Sequence, residues 1–596
     1  MTSSVDDTPP ALASMWRLCK LGYSHEPGLL VFALTMSLLS AVPDALLALW
    51  LKLLADGVLD KDETLVLVSA FGMAGSATLT WLLRLVASRV TRRFRDKVTI
   101  ALETHVAGLQ ASVSTIEHHE RPVYLDRLSV LRNQVFVLDH MYMSLFSTCG
   151  WVVRLGLIMA LLMSIHPVLA LLVVFAVPTV VSALRRPAAE RLAEERAAEH
   201  QRLAAQVFAT VTTAAPGKEV RVLGIGPELD RRRRLELNRW YETVAPVRWV
   251  SAAWQALTWA IFAAGYVGAV VFVASGLHGS PGQVLLVLAA GARLSAYVAA
   301  TMTEVGFLRG IWLDGSRRLV WLENYAASVA ADADGPAPEE LHDGIRFEGV
   351  SFSYPGSSTA ALSDISVHLP AGSVVAVVGE NGAGKSSLVK LLCKMYEPSS
   401  GQILVDGEPL RRLRTDEWRS KVSGAFQDFH RFEFQARTSV GLGDLPHAQD
   451  SAAVQTALDR AGASDVVDGL ASGLDTQLGP TWPDGVDVSF GQWQKLALAR
   501  GFMRGGPLLL VLDEPTAALD AETEHQLFSR YAQAASSSAA GGITILVSHR
   551  FSTVRMADLI VVLQGSRLAQ VGSHEELMTA GGPYAELYSI QAGSYR

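Results

Sequence analysis

Charge is what this 596-residue chain has little of: Asp, Glu, Lys and Arg make up only 18% of it. A soluble protein of this size carries about a quarter. Half of the chain is apolar, so a fold solvated by water on every side is excluded. A basic surplus is missing too. The formal net charge is −7, which argues against a nucleic-acid partner, since that would favour a basic stripe. Cysteine is scarce: Cys19, Cys149 and Cys393 stand far apart, without the spacing of a metal site or a disulfide framework. That usage suits a reducing, cytosol-facing chain. A cleavable signal peptide is not expected, because the first apolar run is too long and follows a polar start.

What is there is an excess of apolar residues gathered in the first half. Six segments, at about 28–55, 64–88, 145–165, 167–184, 250–276 and 283–308, approach the roughly 20 residues that a bilayer crossing takes. The second runs on from Arg89 in a helical pattern ending near Val113, and the fourth through Glu190 to Val211, so helices should project well beyond the membrane. Basic residues set the orientation. Arg17 and Lys20 precede the first span, Arg89 to Lys97 follow the second, Arg185, Arg186 and Arg191 the fourth, and Arg317 and Arg318 the sixth. The short loops between are acidic or neutral, so the positive-inside rule expects both termini in the cytoplasm of a multi-pass cell-membrane protein.

The second half carries a motif with a mechanism. Gly379-Glu380-Asn381-Gly382-Ala383-Gly384-Lys385-Ser386 fits G-x-x-x-x-G-K-[ST] at every required position, between an apolar strand-like run (Val374 to Val378) and a helical run beginning at Ser387. The glycines let backbone N–H groups turn toward phosphate oxygens, Lys385 reaches the β- and γ-phosphates of ATP, and the Ser386 hydroxyl can ligate Mg²⁺. Further on, Leu508 to Leu512 read as a strand buried on both faces, running into Asp513-Glu514. Such a strand carries its terminal carboxylates to the nucleotide edge of a parallel sheet, Asp513 for Mg²⁺ and Glu514 for the attacking water.

Val488-Ser489-Phe490-Gly491-Gln492, ahead of Trp493 to Arg500, resembles the L-S-G-G-Q signature of ABC transporter ATPases. The family's other motifs stand in order: Tyr354, Gln427, Ala518-Leu519-Asp520, and His549 after an Ile543–Val547 strand. The whole chain is similar to an ABC exporter half-transporter. The fold class this implies is a polytopic α-helical membrane domain of six spans with long cytoplasmic extensions (1–326), a linker (327–344), and a C-terminal α/β P-loop ABC ATPase domain in the cytoplasm (345–596). The resemblance implies ATP and Mg²⁺ as cofactors. Tyr354 would stack on adenine, residues Gly379 to Ser387 would wrap the phosphates, and Gln427 would sense Mg²⁺ and the attacking water. Glu514 would be the catalytic base, His549 would contact the γ-phosphate, and Asp520 would complete the nucleotide site. Ser489, Gly491 and Gln492 would close the site of an opposing domain, so a second half-transporter is required. A homodimer is the simplest reading, and a heterodimer stays open. Here Val488 replaces Leu and Phe490 replaces the first Gly of the signature.

Two polar breaks, His119 to Leu128 and Arg221 to Asp230, match the coupling helices that dock on ATPase domains in such exporters. On the sixth span, Arg293, Tyr297, Ala300 and Glu304 fall on one helical face. With Asp44 and Arg154 they either line a translocation cavity or pair internally. No peptidase domain is expected ahead of the first span. The stretch Leu474 to Trp482, with Gly491 to Lys495, looks like peptidase-less exporters of lantibiotics and related peptides. The expected cargo is therefore a peptide natural product, with a lipid or hydrophobic drug as the alternative. An ATP-gated channel is the competing class. Membrane lipid and cargo are the other partners expected.

Overall fold

The computed structural model describes residues 9–121, 124, 135–307, 313–330, 334–514, 541–548 and 550–594. They divide into two compact units, one of Met1–Gly108 with Arg127–Glu323, the other of Leu109–Asp126 with Asn324–Arg596.

The first unit is helical. Six stretches among the described residues are long and apolar enough to cross a membrane: Pro27–Asp60, Glu63–Ser112, Tyr142–Met163, Pro167–Arg196, Gly226–Gly276 and Pro281–Gly306. Each overlaps one expected span. The first is two helices, α1 (Pro27–Leu39) and α2 (Ala41–Asp60), parted at Ser40. Pro43 explains the break: it has no N–H to return to the carbonyl of Leu39. α3 (Glu63–Ser112) and α6 (Ala198–Thr212, parted from α5, Leu172–Arg196, at Ala197) supply the extensions anticipated beyond the second and fourth spans. α4 (Val135–Met163), α7 (Gly226–Val271) and α8 (Pro281–Phe307) complete the set. The core lies where α2, α4, α5, α7 and α8 meet, around Ala45, Ile158, Leu169, Phe262, Val287 and Leu294, all buried.

Ahead of α7 the chain turns at Leu223-Gly224-Ile225, where Gly224 adopts φ +62° and Pro227 sits in the first helical turn. Only glycine takes that φ without strain. This is the second expected coupling segment, and its tip leaves Val222 and Leu223 exposed.

The second unit is α/β. A four-stranded antiparallel sheet runs β2 (Leu362–Pro370), β1 (Gly344–Phe352), β4 (Ser400–Val405), β5 (Glu408–Pro409). A six-stranded sheet runs β10 (Arg567–Gly572), β9 (Leu559–Gln564), β3 (Val374–Gly379), β8 (Ile543–Val547), β7 (Leu509–Asp513), β6 (Val422–Ala425). All its pairings are parallel except β9 with β10. β3 and β8 are buried along almost their whole length, as unbroken apolar runs in a covered parallel sheet should be. The expected linker is shorter than its sequence suggests, because a helix over Leu313–Ala330 continues through residues 327–330.

The segment Leu109–Asp126 belongs to this unit. Ile116 donates its N–H to Met395 O at 3.1 Å, and the Arg419 guanidinium donates to Ser114 O. The docking residues thus lie just before His119, and most of the expected 119–128 segment falls outside the described residues.

Candidate active site

The phosphate loop leaves the carboxyl end of β3 and enters helix α9 (Lys385–Leu392) through three glycines with positive φ: Gly379 at 153°, Gly382 at 81° and Gly384 at 102°. Two of them are needed for space as well. A Cβ on Gly379 would stand 2.2 Å from Leu563 O, and one on Gly384 would stand 2.5 Å from Ala361 O. No side chain caps α9, so the N–H groups of its first turn are left for an anion.

Lys385 is buried and donates from Nζ to Gly379 O at 2.8 Å and Glu380 O at 3.0 Å, lying across the loop it would otherwise extend from. Burial lowers its pKa, while Glu514 and Asp513 oppose that shift. Asp513 ends β7 and is buried; its pKa rises to about 6, first from burial, then from the charges of Glu514 and Asp428. The Ser386 hydroxyl and Lys385 pull it the other way. Among the described residues Asp513 Oδ1 has no hydrogen-bond partner although it is buried. An orphaned carboxylate oxygen beside a serine hydroxyl is a donor set suited to a hard divalent cation, so the residues present fit Mg²⁺.

Glu514 is held unusually. Its φ is +47°, a left-handed conformation for a residue with a Cβ, and its N–H donates to Val547 O at 2.9 Å. Such strain costs about 1 kcal/mol or more and persists only where surroundings over-determine it. Its Oε2 accepts from Gln427 Nε2 at 2.8 Å, and its carbonyl accepts from Gln494 Nε2 at 3.3 Å. Gln427 thus meets the carboxylate expected to act on the attacking water, a contact that the sequence did not announce. Gln494 was not foreseen; as an interior residue of helix α10 (Phe490–Gly501) it carries no sequence signal of that contact.

Tyr354 is half-buried. Its hydroxyl lies 3.0 Å from Ser387 Oγ, its ring meets Phe352 and Tyr396 edge-on, and the Lys390 ammonium lies 5.2 Å from the ring centroid. Ser489 opens α10 in a capping box: its Oγ accepts from Gln492 N at 3.3 Å, and Gln492 Oε1 accepts from Ser489 N at 2.8 Å. The Ser489 O–H proton is not used in that bond. Val488 is buried in the core, so the apolar anchor of the motif survives the change from Leu. Phe490 is exposed, with Phe429 at 5.5 Å and the Arg431 guanidinium at 5.6 Å from its ring. Trp493 is a fully buried core residue, which explains its presence by packing. Asp520 and His549 lie outside the described residues.

Strand, glycine loop, helix and a second strand ending in two carboxylates define a P-loop nucleotide-binding domain. Residues 362–517 match the family model for the ABC transporter, and this domain follows a helical unit with six candidate spans. The ATP-dependent lipid A-core flippase of Ralstonia nicotianae is 40% identical over 248 residues, 41% of this chain and 40% of that protein. The protein of the same name from Yersinia pestis is 38% identical over 256 residues, 43% of this chain and 42% of that one. The chain thus spans about two fifths of the length of the curated relatives it matches. A bacterial Atm1-family ABC exporter with ATP bound has the same fold, with a TM-score of 0.73 and 23% identity over 96% of this chain and 99% of that one.

Proposed function

We propose that the chain is one half of an ATP-driven exporter whose cargo is a lipid. The observation that carries the first part is the gathering of Lys385, Asp513, Glu514 and Gln427 at the carboxyl edge of one sheet, in a chain with six candidate spans. The relatives named above support a lipid better than the peptide natural product expected from the neighbourhood of Trp493.

In this reading the α9 N-terminus and the loop N–H groups bind the phosphates, and Lys385 swings from the Gly379 and Glu380 carbonyls to the terminal phosphates. Ser386 and Asp513 would hold Mg²⁺, which would neutralise charge on the phosphates. Gln427 fixes the carboxylate of Glu514, which accepts a proton from the attacking water, and His549 faces the γ-phosphate. Tyr354 takes the adenine. Ser489 and Gly491 complete the nucleotide site of a second copy, so two ATP molecules lie between two domains. The tip at Val222 and Leu223 and the docked Ser114–Ile116 stretch carry the ATPase cycle to the helical unit. Both termini and the ATPase domain are cytoplasmic.

The test is the full chain in vesicles holding a fluorescent phospholipid in one leaflet. ATP should move that lipid to the other leaflet, and Lys385→Ala should abolish the movement. Absence of ATP hydrolysis would overturn the exporter reading. Hydrolysis with peptide transfer and no lipid transfer would overturn the lipid reading alone.

A further inference from the structure

Phe490 stands where the signature motif has a glycine, and nothing in the site described above uses its ring. It is the first residue of α10 and keeps 57% of its surface exposed. A lone exposed ring is ordinary on a protein surface. This one is engaged twice: the Phe429 ring lies 5.5 Å away at 40°, and the Arg431 guanidinium stands 5.6 Å from its centroid. Both distances fall in the range of favourable aromatic and cation–π contacts.

Phe429 and Arg431 belong to the stretch that begins at Gln427, whose side chain donates to Glu514 Oε2 at 2.8 Å. Phe429 also packs against the core cluster that holds Val488 and Trp493. Near the other end of α10, Arg500 donates to His430 O at 3.3 Å and lies 4.5 Å from the Phe432 ring centroid. α10 thus fastens residues 429–432 at its start through Phe490 and near its end through Arg500. It reaches Glu514 O itself through Gln494. Glu514 is therefore met by two glutamines, one on α10 and one on the stretch that α10 fastens. Gln427 is exposed, and ordering a long side chain costs entropy. A fastening two residues away, at Phe429, reduces what remains to be ordered.

We propose that Phe490 and Arg431 are positioning residues for hydrolysis: the ring and the guanidinium laid against it bracket the Gln427–Phe432 stretch to the start of α10 and so hold Gln427 on the Glu514 carboxylate. This rests on the ATPase reading of the site and adds that the departure from the signature is functional. A glycine at 490 has no ring to offer Phe429 or Arg431, so the bracket exists because the motif is altered. The bracket serves the ATP bound to its own chain, through Gln427 and Glu514, although Ser489 beside it serves the second copy.

The test is phosphate release by the purified full chain, measured against ATP concentration. Phe490→Gly, which restores the motif's residue, should lower kcat about three- to tenfold and leave KM within about twofold, since no phosphate contact changes. Phe490→Ala, with a good helix former in the first turn, should match it, and Phe490→Tyr, which keeps the ring, should keep most of the activity. Arg431→Gln should also lower kcat, and the double variant with Phe490→Ala should lose no more than Phe490→Ala alone, because one contact is removed twice. In mixed dimers whose other copy carries Lys385→Ala, the deficit should persist when Phe490→Gly sits on the copy with the intact loop and vanish when both substitutions share a copy. The reverse pattern would assign the ring to the second copy's nucleotide and overturn the proposal. So would turnover at or above wild type in both Phe490→Gly and Phe490→Ala, a raised KM at unchanged kcat, or additive losses in the double variant. Amide hydrogen exchange of the ATP-free chain separates this from the reading beneath it. Exchange over residues 428–433 should quicken at least threefold in Phe490→Gly while β3 and β7 stay as in wild type. Unchanged exchange sinks the bracket alone, whereas a wild type that hydrolyses no ATP sinks the exporter.

Discussion

Glu514→Gln isolates one atom's chemistry. The substitution keeps shape and length, so Gln427 still finds an oxygen to donate to, and the backbone bond from residue 514 to Val547 O is untouched. What is lost is the ability to take a proton. General-base assistance is worth about 10²- to 10⁴-fold, or roughly 3 to 5.5 kcal/mol of barrier at 1.36 kcal/mol per decade. Steady-state phosphate release by the purified full chain should fall by that factor, while binding of a fluorescent ATP analogue stays within about twofold, because no phosphate contact has changed. The backbone supplies an internal control. At φ +47° the glutamate is strained by about 1 kcal/mol, and Glu514→Gly removes that strain while forfeiting one hydrogen bond of about 1 kcal/mol. The glycine variant should therefore melt no lower than wild type and still be inactive. Turnover within threefold of wild type in Glu514→Gln, with ATP binding intact, would refute Glu514 as the base. A marked drop in melting temperature for Glu514→Gly would refute the strain argument.

Two further outcomes follow from the same geometry. Lys385→Ala should weaken nucleotide binding, whereas Ser489→Ala should impair turnover in trans, so purified mixed dimers of the two variants should regain one intact site; no activity in them would count against the trans assignment. Since Ser489→Ala also removes an N-cap worth about 1 kcal/mol, Ser489→Asp, which keeps a capping acceptor, should remain folded and inactive. Gly384→Ala should lower the thermal midpoint and abolish nucleotide binding together, because its Cβ would stand 2.5 Å from a main-chain oxygen at φ +102°; a fully stable, binding-competent variant would contradict the close approach.

The sequence by itself determined whatever is written in short-range spacing. Lys385 and Ser386 follow their glycines by one and two residues, and the Leu508–Leu512 run delivers Asp513 and Glu514 to a strand end without reference to any distant partner. Six apolar segments announce themselves because the bilayer length is fixed and each helix meets it alone. Even Pro43 and Gly224, which part the first span and turn the chain before α7, act within one helical turn.

Only the tertiary structure decided which polar atoms meet. Nothing near Glu514 in sequence says that Gln494 holds its carbonyl or that its own φ is positive; the first is a contact from α10, and the second goes with a main-chain bond to Val547 on β8. The Arg293–Tyr297 face was visible as a stripe with two possible meanings, a cavity wall or an internal pair. Its partner Asp44 lies 249 positions away, and the sequence around Arg84 carries no sign that it too meets Asp44. Glu304 on that stripe turns instead to Ser144. A charge in a span tells only that something must compensate it. Which group does so depends on the rotation and height of four separate helices, and no one-dimensional pattern carries those quantities.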